Sequence, residues 1–295
     1  MRTCVIFNPA AKGDKARRFR AQLDAIATQA TLKKTAAAGD ARRLAAEAIA
    51  EGCDTVIAAG GDGTVNEVLN GIGDANAFDR VRLGVLPLGT INVFALELGI
   101  PFNPAKAWAL VSRGRYTRID LGWAEFSEGG KPQRRHFMQL AGAGLDARAI
   151  ELVDWQHKKR VGPLAYVIAG LKALRERQPK ISVTANGKSL VGELALFGNG
   201  KFYGGQMKFL PDASLRDGLL DVCVFPRVKS LTAIMRALGM VAFGRMPEGG
   251  VQRLCAAEFS VTAEAGVGFE LDGEWVGRLP AKFGVEREKL RVIVP

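Results

Sequence analysis

The densest run of chemically useful residue types is AAGGDGTVNEVLNG at 58–71, where Gly60, Gly61, Asp62, Gly63 and Thr64 follow a strongly apolar stretch and open a helical pattern. Glycines let backbone approach a ligand closely, and the unpaired N–H groups and dipole at a helix start attract an anion such as phosphate. Thr64 adds a hydroxyl and Asp62 a carboxylate suited to a metal ion or a water molecule. A GDG turn in an ordinary loop has the same letters, so this junction alone also reads as punctuation between strand and helix. LPLGTINVFALELGIP at 86–101 repeats the arrangement, with Gly89 and Thr90 at the start of a helical pattern, where Thr90 would equally serve as a plain N-cap. FNPAAKG at 7–13 supplies another strand end with Lys12 and Gly13. Together these strand ends point to a phosphate-binding crevice.

Such loops need strands and helices to aim them. The chain through Asp120 alternates short apolar runs with helical patterns: CVIFN at 4–8, an amphipathic stretch at 14–30, TLKKT at 31–35, a helix over Asp40–Glu51, DTVIAAG at 54–60, a helix from about Thr64, and RLGVLP at 82–87. That rhythm predicts βαβ units around a parallel sheet, with ligands beyond the carboxyl ends of the strands. The Gly-rich segments fall there. After Asp120, EFSEGGKPQRR at 125–135 reads as a polar hairpin or linker, and closely spaced strand patterns follow, among them ISVTANG, SLVGELALFGNG, LCAAEFSVTAE and VGFELDGEWV. Basic helical patterns at about Asp154–Arg177 and Lys229–Phe243 interrupt them. The expected fold is an α/β domain with a parallel sheet over 1–122 and a β-sandwich-like domain over 123–295, the terminal LRVIV being free to pack on either. A chain of 295 residues is long enough for two such cores.

Composition removes several classes. Hydrophobic residues at 48% and charged residues at 24% are the balance of a folded globular protein. No run approaches the roughly 20 apolar residues of a membrane span, and the start is too short for a signal peptide. A cytoplasmic location is expected. Cys4, Cys53, Cys223 and Cys255 lie far apart without CxxC spacing, so reduced thiols are the expectation. The net charge of +11 suits an anionic membrane surface, a phosphorylated ligand or a nucleic acid alike. Nucleic acid is disfavoured because no zinc-finger, RRM or helix-turn-helix signature appears and aromatics are only 7%.

The motifs, taken in order, resemble the diacylglycerol kinase catalytic family, which includes sphingosine and ceramide kinases and bacterial lipid kinases. The likeness covers NPAAKG, GGDGT, PLGTIN, IDLG at 119–122, GAGLDA at 142–147, GNGKFYGGQMKFLPDASLRDGLLDV at 198–222 and LDGE at 271–274. It implies a fold like that of NAD kinases and diacylglycerol kinases, with ATP and a lipid meeting between an α/β domain and a β-sandwich domain. By the same resemblance Asn8, Thr35, Gly60, Gly61, Asp62, Gly63, Thr64, Asn66, Glu67 and Thr90 would contact ATP, and Asp272 would take the proton from the lipid hydroxyl. Asp62 and Asp120 would belong to a charged network near the magnesium ion used in transfer. A structural magnesium ion would rest on the carboxylate of Asp217 and the carbonyls of Ser214 and Leu219. The implied activity is ATP-dependent transfer of a γ-phosphate to a hydroxyl of a diacylglycerol-like lipid, phosphatidylglycerol or a sphingoid base. The implied partners are a lipid at the inner face of an anionic membrane and, in some members, a second copy as a homodimer.

Two letters depart from the family pattern: Val93 stands where bacterial members carry the aspartate of GTxND, and NPAAKG lacks a serine. The missing carboxylate makes a catalytically silent lipid- or nucleotide-binding protein the chief alternative. An NAD kinase shares GGDGT and the two-domain plan but resembles neither PLGTIN nor the long stretch at 198–222. By its residues alone Asp272 reads as a hairpin turn, because Asp-Gly sits between two apolar runs. Basic residues Lys158, Lys159, Arg160, Lys172, Arg175, Arg177 and Lys180 form the expected membrane-facing cluster.

Overall fold

The computed structural model describes residues 2–9, 14–152, 179–205, 207–226, 251–264 and 266–295, and these separate into two compact units. Unit 1 comprises 1–121, 204–206 and 287–295, and unit 2 comprises 122–203 and 207–286.

In unit 1 the strands β1 (Thr3–Phe7), β2 (Thr31–Lys34), β3 (Thr55–Gly60) and β4 (Arg82–Pro87) pair in parallel in the order β2-β1-β3-β4. Strands β1 and β3 are buried along their whole length, which is why they read as unbroken apolar runs rather than alternating ones. The helices are α1 (Asp14–Arg20), α2 (Leu23–Ala27), α3 (Asp40–Ala50), α4 (Asp62–Asp74), α5 (Val93–Glu97) and α6 (Pro104–Arg113). Helix α3 buries Ala41, Leu44, Ala45, Ala48 and Ile49, the spacing of one apolar stripe. Helix α6 shows its limits in the sequence: Asn103 accepts N–H bonds from Ala105 and Lys106, Pro104 opens the first turn, and Gly114 closes the helix at φ 66°. The amphipathic stretch at 14–30 is two short helices rather than one. The chain end belongs here: in the last strand, β18 (Ala281–Ile293), Arg291 and Val292 pair in parallel with Arg82 and Leu83 of β4.

Unit 2 is antiparallel. One sheet has the order β14-β13-β10-β7-β16-β17, built from β14 (Gln252–Ala256), β13 (Leu220–Phe225), β10 (Leu194–Gly198), β7 (Leu140–Gly144), β16 (Gly268–Leu271) and β17 (Glu274–Arg278). The other joins β9 (Lys188–Gly192), β8 (Ile181–Ala185), β15 (Glu258–Ala263) and the first half of β18. The hairpin of β5 (Tyr116–Glu128) and β6 (Lys131–Phe137), turning through Gly129 and Gly130, runs beside it. Phenylalanines from both sheets form the core. Phe197 of β10 stacks on Phe283 of β18 at 4.5 Å, and Phe269 of β16 meets Phe283 edge-on at 5.4 Å and Phe126 of β5 at 5.1 Å. Each such ring contributes about 1.5–3 kcal/mol by leaving water. The fold is thus the α/β domain and β-sandwich-like domain that the alternation and strand spacing predict. The helical patterns at 154–177 and 229–243 lie outside the described residues.

Candidate active site

In unit 1 the glycine junctions come together at the carboxyl ends of β3 and β4. A Cβ on Gly89 would lie 2.5 Å from the Cα of Gly61, so the two loops touch backbone to backbone and only glycine fits at position 89. Asn92 locks this contact: its Oδ1 accepts the N–H of Gly89 at 2.9 Å while its Nδ2 donates to the Gly89 carbonyl at 2.7 Å. Thr90 lies in an exposed bend two residues before Asn92, which stands at the N-cap of α5 with φ 59°. The sequence places Thr90 at the helix start; the Asn92 side chain instead spends the intervening residues on a turn.

Gly61 is the N-cap of the 13-residue helix α4 and, having no side chain, offers no cap to its first-turn N–H groups. Asn8, at the end of β1, donates through Nδ2 to the Thr64 hydroxyl at 3.4 Å, and Thr35 donates its N–H to Phe7 O at 3.0 Å. Asn8 and Thr64 therefore meet beside Gly61 at the start of α4, while Thr35 is tied to the end of β1. The carboxylates do other work. Asp62 Oδ1 accepts the N–H of Phe94 at 3.3 Å; burial pushes its carboxyl up, opposed by the N–H groups of Val93, Phe94 and Asn92 at the start of α5. Glu67 accepts the N–H groups of Gly39 and Ala41, both at 2.9 Å, and so holds the start of α3. Asn66 accepts from Asn70 Nδ2 at 3.0 Å. Asp120, buried, accepts the N–H of Glu288 at 2.7 Å.

In unit 2 Asp272 and Gly273 form the two-residue turn between β16 and β17, with φ of 50° and 87°, the type I′ pattern. The hairpin reading of LDGE is thereby correct, and the side chain does more. Its Oδ2 accepts the Met138 N–H at 2.8 Å, and its Oδ1 accepts those of Gln139 at 2.9 Å and Leu140 at 3.2 Å. Asn199, fully buried, donates through Nδ2 to Met138 O at 2.8 Å and supports the same segment. The sequence gives no warning of Asn199 or Gln139, because their roles exist only where β7, β10 and β16 lie side by side.

For the structural metal, Asp217 Oδ1 accepts the N–H of Leu219 at 3.0 Å and Ser214 Oγ accepts that of Arg216 at 3.2 Å. Asp221 is pushed up first by burial and then by the charges of Asp217 and Asp212. Local negative charge and oxygen donors suit a magnesium ion. Among the described residues no three or more His, Cys, Asp or Glu side chains converge as a metal-holding group, so such an ion would rest on one carboxylate, backbone carbonyls and water. The uncapped α4 terminus likewise suits nucleotide phosphates.

Comparison with known proteins identifies both halves of the chain. Residues 2–124 match the diacylglycerol kinase catalytic domain, and residues 139–294 match the YegS C-terminal NAD kinase beta sandwich-like domain. A diacylglycerol kinase from Bacillus subtilis (strain 168) is 31% identical over 303 residues, covering 100% of this chain and 96% of the relative. The chain belongs to the diacylglycerol kinase family. A YegS-like lipid kinase from Pseudomonas putida is 32% identical over 265 residues, 88% of this chain and 83% of that protein. A crystal structure of a diacylglycerol kinase from Bacillus anthracis str. Sterne aligns over 100% of this chain and 97% of that one with TM-score 0.76 at 26% identity. As a member of the diacylglycerol kinase family the chain is an ATP-dependent lipid kinase, a phosphotransferase with an alcohol as acceptor. Among the described residues no helix of this kinase is long and apolar enough to cross a membrane.

Proposed function

We propose that the uncapped α4 terminus and the Gly61–Gly89 contact cradle the phosphates of ATP, and that Asp272 is the general base for the lipid hydroxyl. The observation that carries the first half is the backbone-to-backbone approach at Gly89, which a ligand-free turn does not require. Asn8, Thr35, Gly60, Gly61, Gly63, Thr64, Asn66 and Thr90 line the nucleotide end, with Glu67 supporting it through α3. The observation that carries the second half is the triple N–H grip on the Asp272 carboxylate, which gives the fixed aim a general base needs. Magnesium supplies neutralisation of the phosphate charge during transfer. Asp62 and Asp120 are the carboxylates available for that ion in unit 1, with Val93 contributing none; Ser214, Asp217 and Leu219 would hold the structural ion. Unit 1, with the chain end at 287–295, serves the nucleotide and unit 2 the lipid.

The acceptor is a membrane lipid with a free hydroxyl, and docking is electrostatic. A Lys or Arg near an anionic surface is worth about 1 kcal/mol, within a Debye length of about 8 Å at physiological salt. Of the basic cluster, Lys180 is described and exposed, and Lys158, Lys159, Arg160, Lys172, Arg175 and Arg177 lie outside the described residues. The test incubates purified protein and labelled ATP with vesicles containing diacylglycerol, phosphatidylglycerol or sphingosine, and separates the products. Labelled lipid is expected. Nucleotide binding without transfer to any of them would support a silent binding module instead, and sedimentation insensitive to lipid charge and salt would remove electrostatic docking.

A further inference from the structure

Beneath the Asp272 turn, unit 2 holds two carboxyl groups that the proposed chemistry does not use, Glu270 buried and Asp146 half-buried with its Oδ2 out of reach of water. Asp146, in the first turn of α7 (Leu145–Glu151), and Glu270 of β16 both point over Gly142 of β7. A Cβ on Gly142 would meet Asp146 Oδ2 at 2.4 Å and Glu270 Oε1 at 2.8 Å, so both oxygens lie over that glycine, and the two carboxyls are within hydrogen-bonding reach of each other. Each group's other oxygen has a donor: the Tyr203 hydroxyl donates to Asp146 Oδ1 at 2.8 Å, and the Gly273 N–H donates to Glu270 Oε2 at 2.6 Å. Asp146 Oδ2 and Glu270 Oε1 are buried and receive no hydrogen bond from any other described group.

Two neighbouring buried oxygens without a donor are satisfied at once by a single hydrogen between them. Two full negative charges in that place are strongly disfavoured, because a buried charge needs a cation or donors. We propose that Asp146 and Glu270 share one proton in the folded protein and act as a positioning pair that, through the Gly273 N–H, fixes the turn carrying Asp272. Glu270 has no direct line to the acceptor; its effect runs through the backbone of that turn, so the inference rests on Asp272 being the base. The surroundings agree. Burial pushes both carboxyls up, most of all Glu270, to which Asp146 and then Asp272 add negative charge. Among the described residues the titratable groups that act on the pair are Tyr203 of β11 (Phe202–Tyr203) and Asp272 of the turn, and Arg278 of β17 is turned to Glu151 and the Gly266 carbonyl. Strand β7 brings no titratable side chain.

The linkage has a definite sign. The folded pair binds its proton more tightly than the unfolded chain, so its contribution to stability is complete below the ordinary carboxylate range and is lost as pH rises through the raised value. Glu270→Gln places an amide donor toward Asp146 Oδ2 and an oxygen toward Gly273; Asp146→Asn does the same from the other side. Either single amide replaces the shared proton. Both together, made in a Tyr203→Phe background so that the Asp146→Asn amide cannot turn over and donate to that hydroxyl, leave a donor facing a donor.

The experiment measures Tm from about pH 5 to pH 9 and steady-state kinetics for the wild type, Glu270→Ala, Glu270→Gln, Asp146→Asn and the double amide, the amides and their parent also as Tyr203→Phe. Glu270→Ala is expected to lower kcat about ten- to hundredfold with KM for ATP unchanged, since a misaimed group of this kind costs that much. Each single amide is expected within about threefold of wild type in kcat, with a flatter alkaline decline in Tm, whereas the double amide loses both stability and turnover beyond the sum of the singles. A double amide equal to that sum would overturn the shared proton. Lower Tm in Glu270→Ala with kcat unchanged would overturn the positioning role. If the wild type transfers no phosphate, the kinase reading fails, and the Tm pattern across the amides still decides the proton.

Discussion

The two units build their candidate sites from opposite materials. In unit 1 the proposed phosphate-binding groups are backbone: parallel strands deliver helix starts and glycine contacts, and the nearby side chains of Asp62, Glu67 and Asn92 are spent holding that backbone. In unit 2 the proposed base is a side chain, and backbone N–H groups are spent holding it. A backbone-built site fails when a Cβ is added, whereas a side-chain-built site fails when one oxygen is exchanged for nitrogen. That difference follows from the sheets: a parallel sheet ends in helix termini, and an antiparallel one ends in hairpins with side chains on their tips.

The sharpest break comes from Asp272→Asn. Loss of a general base costs about 10²–10⁴ in kcat, and ATP affinity is expected to stay put because unit 1 is untouched. Filter binding with labelled nucleotide alongside turnover separates the two quantities; retention of most activity would remove Asp272 from the chemistry.

Gly89→Ala tests the other side. Its Cβ would sit 2.5 Å from Gly61 Cα, so the loops must separate, and ATP affinity is expected to fall about tenfold or more by isothermal titration. Gly61→Ala meets Gly89 Cα at an ordinary 3.4 Å and is expected to be much milder, while the branched Gly61→Val screens the phosphate-facing N–H groups and weakens nucleotide binding. Equal effects of the two alanine variants would show that the contact does not shape the site.

Glu67→Gln gives the smallest effect. It keeps one oxygen but offers a donor to a backbone N–H at the start of α3, and is expected to cost about 1 kcal/mol in denaturant stability with KM for ATP unchanged. A raised KM with unchanged stability would make Glu67 a nucleotide contact in its own right.

Much of unit 1 is legible from the chain alone. Full burial of β1 and β3 makes apolar runs, and the stripe of α3 keeps helical period. GGDGT and PLGTIN announce the helix starts, because the need for glycine and for capping oxygens is local in sequence. The Asp-Gly turn at 272–273 is legible for the same reason. What the chain by itself could not determine are the contacts between residues far apart in it. That Glu67 caps α3, that Asn92 rather than Thr90 shapes the second loop, that Asp272 gathers the N–H groups of Met138, Gln139 and Leu140, and that Asp146 meets Glu270 over Gly142 all depend on tertiary structure. Local propensity and periodicity act over a few residues. The pairing of a buried carboxyl with its donor is decided by which strands become neighbours, and only the folded chain decides that.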